Sequence, residues 1–246
     1  MLCLVMLMTM KCVWSSEPNP PNFPSSVRVF EATDSDIVDV VNAAFAKNGG
    51  HVPYVSIVLF FNSILYVKRS NHSANNGQFS TERYAFLFKP GNYSADVPVG
   101  YYTSIYGLGE SPNDVVFNGD KGVYAEEGDY QFQGGALCTF WRSAENFRTT
   151  SVHDWQVGKG MIWAVSQAAP LRRVVVDHDL NLFEYQPPAT AAGYSSGGYI
   201  ANSKVNGDIR FGSQQQFCVR NVDLGTEVDV PPVRSHSYRR KINTRI

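Results

Sequence analysis

The sequence lacks most of the short motifs that mark well-known catalytic and nucleotide-binding loops. HExxH, Walker-type and GxGxxG elements are all missing from the 246 residues, so nothing predicts a zinc peptidase or a phosphate-binding loop. The four cysteines form no CxxC pair, and no Cys/His spacing is typical of a zinc site. The sequence therefore predicts neither a cofactor nor a metal site.

Charge is also scarce in this chain. Charged residues make up 17% of it and the formal net charge is −1, so no overall field attracts nucleic acid or an anionic membrane. The basic cluster within residues 234–245 is interpreted as a solvated tail. With 43% hydrophobic residues, the chain can form one globular domain. We expect a monomer if that domain is complete.

The N-terminal residues are typical of a targeting segment. Residues 1–16 contain an apolar run of signal-peptide length followed by small residues, without a positively charged n-region. A proline-rich linker follows at 17–26, where proline disfavours both helix and sheet. The apolar stretch from Val52 to Val67 is shorter than the roughly 20 residues of a membrane span. The sequence thus predicts a secreted, extracellular protein with no stable membrane span.

The pattern from Phe140 to Gly225 predicts an all-β fold. Short apolar pieces alternate there with Asn, Gly, Ser and Gln, and no helix-length apolar stripe appears. Polar turns precede short strands at intervals of roughly 20 to 30 residues, as the stacked coils of a parallel β-helix require. Phe140-Trp141 is expected to be one of the strands. Upstream, a helix is predicted from Ile37, capped by Asp34 or Ser35 and ended by Gly49-Gly50.

Four segments carry a resemblance to a known family: RYAFLFKPG, FWRSAEN, WAVSQAAP and GSQQQ. They resemble a family of secreted microbial proteins, many of them labelled coagulation factor 5/8 type domain or adenylyl cyclase. That family is similar to the single-stranded, right-handed parallel β-helices of pectin lyases, and distantly to glycoside hydrolases that cleave β-1,3-glucan. The resemblance covers about residues 26–50 and 77–225. It implies this β-helix fold, with the predicted helix as an N-terminal cap, and an extracellular carbohydrate-related role.

Two segments depart from the family pattern. Residues 52–76 form an anomalous apolar insertion, and 226–246 form a tail without β-helix character that is expected to be disordered. We interpret both as gene-model artefacts, a translated intron and a read-through. The β-helix domain is then a partial one, at 27–225, and incomplete at its C-terminal end. An incomplete stack exposes its last coil and that coil's ladder edge.

Three carboxylates are candidate catalytic residues: Glu145, Asp177 and Asp208. Glycoside hydrolysis needs two carboxyl groups about 5 to 10 Å apart. Neighbouring coils of a β-helix lie about 4.8 Å apart, so acids on successive coils can meet that spacing. The alternative for each residue is a solvated turn.

Candidate substrate-binding residues combine aromatic rings with amide and guanidinium groups. Rings stack on pyranose faces, amides bind hydroxyls and arginine can hold a uronate carboxylate. An internal amide ladder, an Arg142–Glu145 surface pair and an inward-packed Trp141 remain open as alternatives. The candidates are Trp141, Arg142, Trp163, Gln167, Arg172, Gln214 and Gln216. Strand alternation sends Gln214 and Gln216 to the same face.

The sequence favours a secreted glycoside hydrolase that acts on β-glucan or a related wall polysaccharide through carboxylate acid/base chemistry. A polysaccharide lyase is the nearest alternative, with Arg142 or Arg172 available to it. A non-catalytic glycan-binding protein is the alternative from another class. In each case the partner is a polysaccharide. Cys138 and Cys218 either pair or remain two buried thiols.

Overall fold

The computed structural model describes residues 22–49, 59–60, 63–64, 77–126, 135–136, 139–184, 192–225 and 228–229. The predicted signal peptide, most of the proline-rich linker, most of the 52–76 insertion and most of the 226–246 tail lie outside the described residues, as does Cys138. Cys218 is an exposed free thiol rather than a buried one.

The described chain is mostly β-strand, with the single α-helix α1 at Ile37–Asn48. The strands are β1 (Val27–Phe30), β2 (Leu59–Phe60), β3 (Ser63–Ile64), β4 (Tyr84–Phe88), β5 (Gly91–Tyr93), β6 (Val97–Pro98), β7 (Thr103–Gly107), β8 (Val115–Phe117), β9 (Val123–Tyr124), β10 (Gly135–Ala136), β11 (Ser143–Thr149), β12 (Gly160–Ile162), β13 (Pro170–Val176), β14 (Asp179–Asn181), β15 (Tyr194–Ser196), β16 (Tyr199–Val205), β17 (Ile209–Arg210), β18 (Gln214–Gln215), β19 (Cys218–Leu224) and β20 (Val228–Asp229). Short 3-10 turns lie at Gly77–Phe79 and Pro112–Asp114.

These strands stack as the coils of a parallel β-helix-like fold. The largest sheet runs in the order β1, β4, β7, β11, β13, β16, β19, and its strand pairs are parallel. Three further sheets are also parallel, with strand orders β6–β9, β12–β14–β17–β20 and β10–β15–β18. The steps between paired positions 144, 171, 200 and 219 are 27, 29 and 19 residues. The all-β prediction is confirmed at this level.

A left-handed residue bends the long strands of the large sheet. Asn146, Arg173, Asn202 and Asn221 have φ of 60°, 51°, 52° and 52° and occupy equivalent positions on successive coils. Their side chains form two pairs between neighbouring coils, since Arg173 Nε donates to Asn146 Oδ1 at 3.2 Å and Asn221 Nδ2 donates to Asn202 Oδ1 at 2.8 Å. Asn tolerates this conformation better than most residues. Each coil therefore turns a corner at a fixed place.

The core lies between the sheets and is filled by columns of apolar side chains. Phe88, Phe117 and Phe147 are fully buried and meet edge to face, with ring centroids 4.9 and 5.4 Å apart. Edge-to-face contacts are the favoured aromatic geometry. Because the columns run through successive coils, they fix the register that places the outward-facing residues.

Helix α1 packs against β6 at the first coil and buries Ile37, Val41 and Ala44. Its C-terminal end at Gly49 agrees with the prediction, but the predicted N-cap is wrong. Asp36 holds that position without a side-chain cap bond. Asp34 instead accepts a hydrogen bond from the Glu31 amide, so its side chain is used by the preceding turn.

Three short segments have a structure that the sequence did not predict. Phe140-Trp141 does not form the expected strand, because Trp141 has a left-handed φ of 57°. Within the apolar insertion, β2 and β3 pair antiparallel. Within the tail, β20 pairs parallel with β17, so these two residues continue a sheet of the stack. No helix in the described residues is long and apolar enough to span a membrane.

Candidate functional site

One outward-facing turn recurs on successive coils, and we name it the turn column. Strand register aligns its members, which are Arg83, Tyr102, Trp141, Ala168, Gly197 and Gln216. From the second member onward φ is positive, at 55°, 57°, 55°, 98° and 54°. A left-handed residue before each strand therefore aims successive side chains along one line. Three predicted binding residues, Trp141, Gln167 and Gln216, lie in or beside this column.

The first half of the turn column is a stack of planar groups. The Arg83 guanidinium carbon lies 3.5 Å from the Tyr102 ring centroid, and Tyr102 stacks on Trp141 at 5.3 Å with an interplanar angle of 20°. Phe140 meets the indole edge-on at 4.5 Å. Trp141 remains 44% exposed. The structure thus presents an indole ring on the surface with one face already supported.

The second half of the turn column is made of small residues and amides. Ala168 and Gln216 are exposed. A Cβ at Gly197 would lie 2.7 Å from Gln167 Cγ, so glycine at this place lets the Gln167 side chain lie across the turn. Gln167 is itself exposed. Gly197 is buried beneath Gln167, so Ala168 forms the low stretch beside the indole and the Gln167 amide borders it. Gln216 lies two coils beyond Ala168.

Glu145 and Arg172 lie further along the same coils, four residues beyond Trp141 and Ala168. They are paired in the register of β11 and β13, and Arg172 Nη1 is 3.8 Å from Glu145 Oε2. Their side chains are 21% and 45% exposed. Extended chain puts Glu145 about 13 Å from Trp141. The structure therefore brings one predicted acid and one predicted base to the same outer face as the indole.

Asp177 lies elsewhere, at the turn that follows β13. Arg148 Nε donates to both of its carboxylate oxygens at 3.0 and 3.1 Å, and Arg148 Nη2 donates to Oδ2 at 2.9 Å. Asn206 adds a hydrogen bond at 3.3 Å. Arg172, the register partner of Glu145, is five residues before Asp177, about 16 Å of extended strand. The register does not place Glu145 and Asp177 side by side.

Asp208 lies near Asp177, one coil further on. Arg210 Nη2 donates to Asp208 Oδ2 at 3.0 Å and Arg210 Nη1 donates to Asp179 Oδ2. The Asp208 amide also donates to Asp179 Oδ1 at 2.9 Å. Two of the predicted acids thus lie on corresponding turns of adjacent coils, where Arg148 holds Asp177 and Arg210 holds Asp208.

Three predicted binding residues are buried and do not reach the outer surface. Arg142 is 2% exposed, donates to the Val99 carbonyl and lies 4.8 Å from the Tyr101 ring centroid. Trp163 is fully buried, with its indole N–H donated to the Ala169 carbonyl at 3.2 Å. The sequence does not indicate that these side chains are buried, because residues of the same types occur at inward-facing and at outward-facing positions.

Gln214 is also inside, at 4% exposure, and donates to the carbonyls of Val165 and Leu182 at 2.9 and 2.8 Å. The prediction that Gln214 and Gln216 share a face is wrong. Gln216 has a φ of 54°, which breaks the period of two on which that prediction depends. Gln214 thus ties coils together internally, whereas Gln216 is on the surface.

A second cluster, not found from the sequence, lies around Trp155. The Lys121 ammonium is 5.0 and 5.1 Å from the ring centroids of Tyr124 and Trp155, and 4.0 Å from Glu126 Oε1. His153 packs on Trp155 at 4.4 Å. Burial raises the pKa of Glu126, although Lys121 and His153 act to lower it. Burial, with the negative charges of Glu126 and Asp96, raises the pKa of Tyr124 to about 12.

Residues 193–197 read G-Y-S-S-G and match the nucleophile-elbow pattern of serine hydrolases. The match is not supported by its surroundings. Ser195 lies on β15 within a parallel sheet, is 2% exposed, and shares a hydrogen bond of 3.1 Å with Ser213. A nucleophile elbow is an exposed turn between a strand and a helix. Within the described residues, no three His, Cys, Asp or Glu side chains are grouped as metal ligands.

Comparison with known proteins points to glucan-cleaving enzymes. The chain is 45% identical over 151 residues to an exo-β-1,3-glucanase of Streptomyces sp. (strain SirexAA-E / ActE), an alignment that covers 61% of this chain and 23% of the glucanase. No protein-family model matches the chain. The resemblance to β-1,3-glucan-cleaving enzymes that the motifs indicated is thereby confirmed.

Solved structures give the same relationship. SacteLam55A from Streptomyces sp. SirexAA-E superimposes with a TM-score of 0.61 and 34% identity. A variant of sacteLam55A in complex with glucose gives a TM-score of 0.60 and 36% identity. Each match covers 87% of this chain and 34% of the solved chain. The chain is therefore similar to about a third of these proteins and spans about a quarter of the curated glucanase.

Proposed function

We propose that the chain belongs to a secreted glycoside hydrolase that acts on β-1,3-glucan. The 45% identity to an exo-β-1,3-glucanase over 151 residues carries this proposal. The turn column supports it, because an exposed indole can stack on a pyranose face and the neighbouring Gln167 amide can bind sugar hydroxyls. The N-terminal apolar segment supports secretion.

The finer fold assignment is part of the same proposal. We assign the stack to the single-stranded, right-handed type found in pectin lyases. Parallel crossover connections are right-handed in nearly all known proteins, and the repeated parallel pairing of one chain with itself suits a single-stranded coil.

The proposed chemistry is general acid/base hydrolysis with Glu145 as a contributing carboxyl. A protonated carboxyl gives its proton to the glycosidic oxygen as the bond to the anomeric carbon breaks, and a second carboxylate activates the water that attacks this carbon. Glu145 faces the same side as Trp141, and its partner Arg172 is 3.8 Å away. Asp177 and Asp208 are held by Arg148 and Arg210, which favours a structural role for both.

Those ion pairs also support the main alternative, in which this chain binds glucan without cleaving it. The lyase alternative is weaker, because the cations it would use are engaged. Arg142 is buried against Val99 and Tyr101, and Arg172 lies beside a carboxylate. At each of the two positions, a uronate would therefore meet an arginine that already contacts another group.

The test is product analysis on soluble β-1,3-glucan, with β-1,4-glucan and polygalacturonate as controls. The proposal expects glucose or short oligosaccharides from β-1,3-glucan alone, and a rate at least about 100-fold lower for Glu145→Gln, as for loss of a general acid or base. Binding without products would favour the non-catalytic alternative. Products from polygalacturonate would contradict the proposal.

A further inference from the structure

The turn column changes abruptly in side-chain size at one place. Arg83, Tyr102 and Trp141 are large and stacked, whereas the next two positions are Ala168 and Gly197. A methyl group cannot cover an indole ring, which agrees with the 44% exposure of Trp141. The indole therefore has one face on Tyr102 and the opposite face beside the small residues.

The indole is held in place before any ligand arrives. Tyr102 donates its hydroxyl to the Gln78 carbonyl at 2.8 Å, and Arg83 donates to the carbonyls of Ser80 and Glu82, both at 2.8 Å. Phe140 fixes the indole from its edge. A ring whose rotamer is already fixed loses little entropy on binding, which raises affinity for a ligand that stacks on it.

The space beside the indole matches one sugar ring. Coils repeat at about 4.8 Å, close to the spacing at which flat groups stack. A ring stacked on Trp141 therefore lies at the level of Ala168. Gln167, which lies across Gly197, then borders it with an amide group. The exposed Gln216 lies two coils beyond Ala168, further along the column.

The charge around this space favours a neutral sugar. Arg83 lies on the far side of Tyr102, and Arg172 lies beside Glu145 at 3.8 Å. Neither cation is directed at a ligand that stacks over Ala168. Among the residues that the structure describes, the polar group assigned to its border is the Gln167 amide, which binds hydroxyls without preferring an anion.

We propose that Trp141 and Ala168 form a stacking subsite for one neutral pyranose ring of a β-glucan, with Gln167 binding its hydroxyls and Gln216 contacting the glucan further along the column. The inference rests on the proposed function and adds a defined subsite to it. Tyr102 and Arg83 are positioning residues, since they act through the indole.

The test fills the subsite instead of removing it. Ala168→Trp extends the stack, and the backbone accepts it because Trp141 and Tyr102 adopt the same conformation as Ala168, with φ of 57°, 55° and 55°. Val152→Trp is the matched control, at another exposed turn (53% exposed). Affinity of the full chain for soluble β-1,3-glucan is measured by calorimetry, with polygalacturonate in parallel.

We expect A168W to lose about tenfold in affinity, the size of one aromatic hot spot, while V152W binds as the parent does. Equal affinity of A168W and the parent would overturn the subsite and leave the proposed function standing. A parent chain that neither binds nor cleaves β-1,3-glucan would overturn both. Equal affinity for polygalacturonate would overturn the neutral-sugar assignment.

A second measurement needs no variant and decides the matter if A168W fails to fold. N-bromosuccinimide oxidises exposed indoles, and peptide mapping separates Trp141 from the partly buried Trp155. We expect β-1,3-glucan oligosaccharides to slow oxidation of Trp141 at least about threefold, as occupancy near 70% requires, and to leave Trp155 unchanged. No protection of Trp141 at saturating oligosaccharide would overturn the subsite.

Discussion

Arg148 and Asp177 form a bidentate ion pair that joins β11 to the turn after β13, with N–O distances of 2.9 to 3.1 Å. The two side chains are 39% and 17% exposed. A bidentate arginine–carboxylate pair has better-defined geometry than most surface pairs, although partial exposure limits its energy. We therefore expect Asp177 to stabilise the stack of coils and not to act in a catalytic pair.

Asp177→Asn is expected to lower the free energy of unfolding by about 1 kcal/mol and to leave glucan cleavage and binding unchanged. Urea unfolding of this variant, of Arg148→Ala and of the double variant gives the coupling energy. A tenfold loss of glucan turnover with unchanged stability would contradict this account and restore Asp177 as a catalytic candidate.

Two glutamines two residues apart should behave in opposite ways. Gln214→Ala removes the donors to Val165 and Leu182 and should cost about 2 to 4 kcal/mol of stability, since it leaves buried carbonyls and a cavity. Gln216→Ala should change stability by less than about 0.5 kcal/mol and should weaken glucan binding. Thermal unfolding and calorimetry together separate the two effects; similar stability losses in both variants would contradict the assignment.

Gly107 lies where two coils approach closely. A Cβ there would be 1.9 Å from the Asn146 carbonyl oxygen, so the backbone of one coil must move. We expect Gly107→Ala to destabilise the protein by about 2 to 4 kcal/mol. Leu108→Ala, at a 47% exposed neighbour, is the control and should have little effect. Equal urea midpoints for the two variants would show that the coils are not this close.

Stability should depend on pH through Glu126. Burial raises its pKa above the ordinary value of 4.5, so its stabilising contribution is complete below that value and is lost as pH rises through the raised pKa. Glu126→Gln cannot ionise. Its stability relative to the parent should therefore increase from pH 4 upward, and a difference that does not change with pH would contradict this role.

The coil architecture could be predicted because it depends on local composition. Short apolar pieces separated by Asn, Gly and Ser mark each coil. Two such pieces, Phe86-Leu-Phe88 and Val115 to Phe117, lie within β4 and form β8. Register could not be predicted in the same way, because the coils differ in length. Without the register, the sequence cannot show that Glu145 lies beside Arg172. Nor can it show that Asp177 and Asp208 lie on corresponding turns of adjacent coils.

The candidate site was predicted only in part, for a related reason. Residues with a left-handed backbone conformation interrupt the inward–outward alternation of side chains along a strand. That alternation therefore cannot predict that Trp141 and Gln216 face outward. Buried polar residues mislead in the other direction, since Arg142 has the chemistry of a surface ligand and lies in the core. Tyr102, which stacks on Trp141, is 39 residues away along the chain and could be found only from the register.

Co-sedimentation with insoluble β-1,3-glucan tests the central claim most directly, namely that the outer face around Trp141 binds this polymer. The full chain and its Trp141→Ala variant are compared, with Trp155→Phe as the control. We predict that the parent and the control sediment with the glucan and that Trp141→Ala stays in solution. Equal sedimentation of the parent and Trp141→Ala, with both folded, would contradict the account.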